Sequence, residues 1–435
     1  MNIPQYETRL VHVASGYARM VDGKIPDDMP IGTYSGSSNT YLVGFSPVDA
    51  KGYVDSFYLF NRFSHLKASK DERRSEGIFK FVRNDWDNSL DNEATIRDLY
   101  ASFVDILPPS VRSDPILCIR YLITRICQGN HRDFILHGTW NENTKKEQFA
   151  VSAADAILNR KTQKRKGQCF TFSALTNSVL RMIGIQTRQV ISTKVGHPDK
   201  RSALLTVIHG EEQKKRETGS FWNYHCWNEV FVNGEWYFVD STPQERSVDS
   251  PCLGMYVCGP CPVSAIRNGE KPSTNSFDFD LVASCTQGFI AHAVRNKRNG
   301  LIIPYDIRPS CTGKTILAES PSGFIDITLS YRPTKPIEPS TASYNLLITR
   351  INGGTKSKRD TCGIELKGDV PYDIKIFLVW FSSRDDSSHC YEISRLTQTF
   401  RKPRGSTRCY VVSGVIERRG GSKYLVQRRS LLLAV

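Results

Sequence analysis

The chain has 435 residues, with 58 lysines and arginines against 44 aspartates and glutamates, a formal excess of 14 positive charges. Hydrophobic residues at 39% and charged residues at 23% exclude a disordered chain and fit a folded protein of roughly two to four domains. The positive charge is spread along the chain without a helix-turn-helix, zinc-finger or RNA-binding signature, so no specific nucleic-acid partner is expected.

No run of about 18 apolar residues occurs, so no transmembrane segment is expected. Residues 1–20 lack the apolar stretch of a signal peptide, which places the expectation in the cytoplasm, with non-classical export left open. Twelve scattered cysteines in such a chain are expected to be reduced thiols.

In chain order, residues 31–66 read as short strands, including the apolar, β-prone Ser56 to Asn61. Ser69 to Glu76 is a charged, helix-like boundary. Asn92 to Ile106 and Asp114 to Cys127 carry helical periodicity, and Ala153 to Asn159 is a short helix. Phe170 to Ile183 is a longer helix, with Phe172, Leu175, Val179, Met182 and Ile183 at spacings of three and four, and Gly184 as its stop. Beyond residue 300 the β-rich runs Ser343 to Ile351, Ile374 to Phe381 and Cys409 to Ile416 alternate with turn residues, and Gly420-Gly421 joins the last two strands. This predicts a C-terminal β-sandwich entered through the proline-rich Arg332 to Pro339.

The chemistry gathers around Gly167-Gln168-Cys169. A thiol at a helix N-terminus feels the partial positive charge of unpaired N–H groups. The basic run Arg160 to Lys166 just before it acts in the same direction, and both effects lower a thiol pKa. Downstream, Trp222 to Val232 reads as a strand, Asn233-Gly234 as a two-residue turn, and Glu235 to Asp240 as the returning strand. A two-residue turn pairs Val232 with Glu235, so paired numbers sum to 467. His225 then faces Thr242, and His225 and Asp240 become diagonal neighbours on one face, within reach of a shared hydrogen bond. Cys169, His225 and Asp240 together supply a nucleophile, a base and an orienting carboxylate.

Gly-Gln-Cys opening a helix, Trp222 to Glu229, Asp240 to Glu245 and Cys258 to Glu270 together resemble the animal transglutaminases of the tissue type, over roughly residues 31–300. The resemblance implies an α+β fold. A papain-like transglutaminase core (67–300) would be flanked by a truncated N-terminal β-sandwich (1–66) and one C-terminal immunoglobulin-like β-sandwich (301–435). It implies a protein-glutamine gamma-glutamyltransferase, moving an acyl group from peptide glutamine to a lysine or primary amine through a Cys169 thioester. Catalytic roles then fall on Cys169, His225 and Asp240. Trp140, in His137 to Asn141, takes the oxyanion-stabilising role, and Trp222 walls the substrate tunnel. The expected partners are proteins with accessible glutamine and lysine, or small amines.

The family binds Ca²⁺, an ion that takes six to eight oxygen ligands. The matching loops here are degraded. Cys127 to Asp133 keeps Asn130 and Asp133 but carries Arg132, Gly196 to Arg201 keeps Asp199 among basic residues, and Val282 to Cys285 lacks the expected asparagine. Weak or absent Ca²⁺ sites are therefore expected, with no metal ligand assigned. The competing readings are a non-catalytic scaffold, a protease or deamidase using the same triad, a redox pair at Cys258-Gly259-Pro260-Cys261, and a zinc site built from Cys252, Cys258, Cys261 and Cys285.

Overall fold

The computed structural model describes residues 29–35, 40–45, 55–64, 67–70, 79–82, 86–127, 135–139, 149–159, 166–197, 204–209, 215–218, 220–244, 256–270, 276–296, 298–308, 312–333, 347–349, 361–367, 375–381, 388–393, 397–401, 408–419 and 422–433. The chain forms two units that interleave in sequence. Residues 1–195, 221–286 and 312–334 make the first, and residues 196–220, 287–311 and 335–435 the second.

The helices of the first unit start where local side chains satisfy their N-termini. Asn92 accepts from the Thr95 N–H ahead of α1 (Glu93–Leu99), which runs into a π-helical turn over Tyr100–Val104. Asp114 accepts from the Ile116 and Leu117 N–H groups ahead of α2 (Pro115–Ile126), and Pro115 takes the first helical position, where no donor is lost. Ser152 caps α3 (Ala153–Leu158) in the same way. The helix expected after Gly167 is α4 (Cys169–Met182).

A six-stranded sheet supports α4. Its strands are β1 (Gln186–His197), β2 (Ser220–Val232), β3 (Glu235–Gln244), β4 (Tyr256–Pro262), β5 (Ile316–Ser320) and β6 (Gly323–Asp326), in the order β4-β3-β2-β1-β5-β6. Two helices, α5 (Val263–Asn268) and α6 (Ser276–Gln287), follow β4. The β2–β3 hairpin has the expected register, from Val232↔Glu235 to Asn228↔Val239. Asn233 and Gly234 both have positive φ, at 53° and 83°, as a type I′ turn requires.

Helix α4 is buried on every side. Its apolar residues Phe172, Leu175, Val179 and Met182 share a core with Val230, Val232 and Val239 of the sheet. Its polar residues are buried too, and each is answered. Ser173 Oγ donates to the Trp227 carbonyl at 2.9 Å, Thr176 meets Ser241 at 2.6 Å, Asn177 donates to Ser64 at 2.8 Å, and Ser178 donates to Asn88 at 2.6 Å. Arg181 pairs with Glu319 at 3.2 Å and donates to the Thr187 carbonyl. Leaving such groups unmade costs roughly 1–3 kcal/mol each, so these bonds fix the rotation of α4 about its axis.

Two local expectations are corrected. Ser56 to Asn61, expected as a strand, contains a helical turn over Phe57–Phe60. The Asp55 carboxylate accepts from the Phe57 N–H at 3.0 Å and starts the turn, which buries Tyr58 and Leu59. In the stretch expected as a helix-like boundary from Ser69, residues 69 and 70 close the strand Lys67–Lys70, paired with Phe79–Val82. The rest of that stretch lies outside the described residues.

The second unit carries an eight-stranded sheet in the order 215–218, 204–209, 289–295, 302–308, 422–433, 408–419, 375–381, 388–392. It therefore draws on residues both before and after position 300. Val294, Ile303, Tyr305, Phe377, Val379, Tyr410 and Val412 form its core. The last two strands pair across the expected turn, Arg419↔Ser422. Residues 347–349, 361–367 and 397–401 make a separate three-stranded sheet. Among the described residues, no helix is long and apolar enough to cross a membrane.

Candidate active site

Cys169 is the first residue of α4. Two bonds fix the entry of the chain: the Thr171 hydroxyl accepts from the Gln168 N–H at 3.3 Å, and the Gln168 carbonyl accepts from Phe172 at 3.0 Å. Lys166–Gly167, just before it, pairs in parallel with His137–Gly138, and the Thr139 N–H reaches the Gly167 carbonyl at 3.0 Å. The segment leading toward Trp140 thus lies beside the strand leading toward Cys169. Trp140 itself, Asn130, Arg132, Asp133 and Asp199 lie outside the described residues.

His225 on β2 and Asp240 on β3 are both buried, with Nε2 and Oδ2 2.6 Å apart. The second carboxylate oxygen of Asp240 accepts from the Thr242 N–H at 2.8 Å, which fixes its plane. Trp222 packs edge-on against the imidazole with ring centroids 4.9 Å apart. The Trp227 ring lies 6.2 Å from the imidazole, centroid to centroid. His225 Nδ1 is buried without a hydrogen bond of normal geometry, yet the ring and the Cys169 sulfur influence one another's ionisation.

Cys226 is the member that sequence reasoning did not single out. Its thiol packs with Cys169 and Ile191 in a small apolar cluster, lined by Phe170, Tyr224 and Leu317. Strand alternation would send it to the face opposite His225, so nothing local marks it. A hydrogen bond from the Cys226 thiol is the largest influence on Cys169. With the His225 ring and the Cys226 N–H, it outweighs burial and draws the Cys169 thiol down to about 5. Burial pushes His225 toward the neutral form, but the Asp240 carboxylate and the Cys169 sulfur lift it to about 10. The Cys226 thiol is driven well up, by burial and then by Cys169. At neutral pH the pair is therefore a thiolate beside an imidazolium, with Asp240 stabilising the imidazolium.

This charge state has a direct readout. Alkylation of Cys169 by iodoacetamide, followed by peptide mass spectrometry, should stay nearly constant from about pH 6 to pH 9 and fall only near pH 5. A rate that climbs steadily toward a midpoint near about 8.5, as for a free thiol, would contradict it.

Residues 133–241 match the model of the transglutaminase-like superfamily. The human coagulation factor XIII A chain is 28% identical over 269 residues, covering 56% of this chain and 35% of that protein. Bovine protein-glutamine gamma-glutamyltransferase 2 is 25% identical over 343 residues, covering 66% of this chain and 48% of its own length. Residues 133–241 are a transglutaminase-like domain, and the chain is similar to the animal transglutaminases. Its fold is similar to that of the red sea bream transglutaminase, with a TM-score of 0.55 at 17% identity over 92% of this chain and 70% of the other. The chain spans less than half the length of these two curated relatives, at 35% and 48%.

The family's calcium can be tested against the described residues. The third expected loop, Val282 to Cys285, is part of α6, and the side chains of Val282, Ala283, Ser284 and Cys285 are all buried. The Ser284 carbonyl accepts from Thr312 at 2.6 Å. A buried helical segment without a carboxylate does not fit an ion that needs six to eight oxygens.

Proposed function

We propose that this chain is a protein-glutamine gamma-glutamyltransferase. The reading rests above all on the buried His225–Asp240 pair at 2.6 Å, whose imidazole acts on a thiol at the N-terminus of α4. The Cys169 thiolate attacks the γ-carboxamide carbon of a peptide glutamine. The carbon becomes tetrahedral and its oxygen takes the negative charge. The N-terminus of α4 favours that charge, and the family places an indole donor there, a role proposed for Trp140. The His225 imidazolium gives its proton to the leaving nitrogen, ammonia departs, and a thioester remains on Cys169. His225, now neutral, takes a proton from an incoming lysine or primary amine. The amine nitrogen bonds the carbonyl carbon, the C–S bond breaks, and the thiolate–imidazolium pair is restored.

Asp240 holds the imidazole in the tautomer that presents Nδ1 to sulfur. Trp222 covers one side of the imidazole and takes the proposed role of tunnel wall. Water excluded there cannot compete with the amine for the thioester. If water wins, the product is a deamidated glutamine. No step is routed through Ca²⁺, and the activity is proposed to proceed without it.

The test is incorporation of a labelled primary amine into a glutamine-rich acceptor protein, with Ca²⁺ and with a chelator. Labelling in both arms, abolished by prior alkylation of Cys169, is the expected result. Labelling only with Ca²⁺ would restore the family's dependence. Cleavage of the acceptor without labelling would make the chain a protease, and no reaction in either arm would leave a scaffold.

A further inference from the structure

A second cluster of reactive side chains in the first unit takes no part in acyl transfer. Cys258 and Cys261 stand on β4, and Asp278 stands in the first turn of α6. All three are buried and both cysteines are free thiols. The sulfur atoms and a carboxylate oxygen all lie within 4.8 Å of one another.

The backbone explains how they meet. In a regular strand, residues three apart point to opposite faces. Here Asp240 pairs with Cys258 and Phe238 with Cys261, so three steps along β4 oppose two along β3. The extra residue is a bulge, and it brings both thiols to one side. Gly259 permits it: its φ is +90°, and a Cβ there would lie 2.1 Å from the Phe238 carbonyl oxygen.

We propose that Cys258, Cys261 and Asp278 form a zinc site, with water in the fourth position. Cysteines two residues apart in the intervening sequence are a common zinc-ligand spacing, and two thiolates with a carboxylate suit zinc rather than calcium. Zinc–sulfur bonds of about 2.3 Å in a tetrahedron set the two sulfurs roughly 3.8 Å apart, within reach of small side-chain rotations. The charges balance as well. Two thiolates and one carboxylate oppose the zinc ion and the Arg120 guanidinium, which is 2.9 Å from Asp278 Oδ2.

Arg120 also donates to the Val257 and Gly259 carbonyls at 2.9 and 2.7 Å, and the Gly259 N–H donates to Asp278 Oδ2 at 2.9 Å. Both bonds to the carboxylate fall on Oδ2, so they orient the group while Oδ1 carries neither, as outer partners do around metal-binding carboxylates. The weak bond from the Cys258 thiol to the Asp278 carbonyl, at 3.5 Å, gives way to the metal. Cys285 sits two turns beyond Asp278 on α6, roughly 10 Å along the axis, too far to share one tetrahedron with it. The ion ties β4 to α6, and β4 is the strand paired with Asp240.

The experiment uses the full chain, purified under reducing conditions. Elemental analysis should find about one zinc per chain. Co²⁺ added to the metal-stripped protein should give thiolate-to-cobalt absorption in the near ultraviolet and the visible bands of tetrahedral cobalt. Asp278→Asn should weaken Co²⁺ binding at least about tenfold, and Cys258→Ser with Cys261→Ser should abolish the thiolate band. Cys285→Ser and Cys169→Ala should leave it intact. The wild-type cobalt spectrum keeps the test decisive if the double variant fails to fold. Absence of a thiolate band in the reduced wild-type protein would overturn the site. So would a Cys258–Cys261 disulfide in metal-free protein as isolated, or loss of the band in Cys169→Ala.

Discussion

Cys169→Ala is expected to lower labelled-amine incorporation by about 10⁴-fold or more, to the level of the acceptor protein alone. The variant removes the only atom that forms the acyl bond in the proposed cycle, and neither His225 nor Asp240 can replace it. The effect should be confined to chemistry. Position 169 opens α4, the entry bonds of Gln168 and Thr171 do not use the sulfur, and alanine is the best helix former. The variant should keep the melting midpoint of the wild type to within a few degrees while losing turnover. Cys169→Ser is expected to lose nearly as much, because a hydroxyl in that place does not ionise near neutral pH. Residual turnover above about 1% in Cys169→Ala would place the nucleophile elsewhere.

Glu229→Ala is expected to have the largest effect on stability. Glu229 is buried on β2. Its Oε2 accepts from Arg188, with Nε at 2.8 Å and Nη2 at 2.5 Å, and its Oε1 accepts from the Tyr331 hydroxyl at 2.5 Å. Arg188 also stacks over Trp236, 3.9 Å from the ring centroid. Removing the carboxylate takes from the buried guanidinium its charged partner and from the buried phenol its acceptor, a loss of roughly 3–5 kcal/mol. At about 2–4 °C per kcal/mol for a unit of this size, the melting midpoint should fall by roughly 6–20 °C. Glu229→Gln keeps an acceptor for Tyr331 and should fall less. A loss under about 1 kcal/mol by denaturant titration would show that water reaches and solvates Arg188.

Both predictions depend on contacts of unequal visibility in the sequence. The His225–Asp240 pairing was legible because Asn233-Gly234 admits one tight turn, and counting outward from it gives the facing residues. Helix α4 was legible because Phe172, Leu175, Val179, Met182 and Ile183 recur at spacings of three and four, while the Gln168 and Thr171 bonds at its start were seen only in the structure. The Arg188–Glu229–Tyr331 cluster was not, since its members lie 41 and 102 residues apart and no local period relates them. The polar side of α4 was hidden for the same reason: Ser64, Asn88 and Ser241 answer it from distant segments. Ser56 to Asn61 misled because its apolar residues favour a strand, while the Asp55 side chain starts a helical turn. The eight-stranded sheet of the second unit takes strands from either side of position 300, and long-range pairing leaves no trace in local composition.

The two-residue turn at Asn233-Gly234 makes the placement of the proposed base and its carboxylate a matter of counting. His225 is seven residues before Val232, roughly 23 Å of extended strand away, yet its partner is set by how many residues the turn contains. One residue added there, unless taken up by a longer loop or a bulge, would slide β3 by a step and carry Asp240 to the opposite face of the sheet. Such an insertion would touch no atom near Cys169 and alter no residue of the proposed triad. In this fold, chain length at a solvent-exposed corner is as strict a determinant of the site as the identity of its side chains.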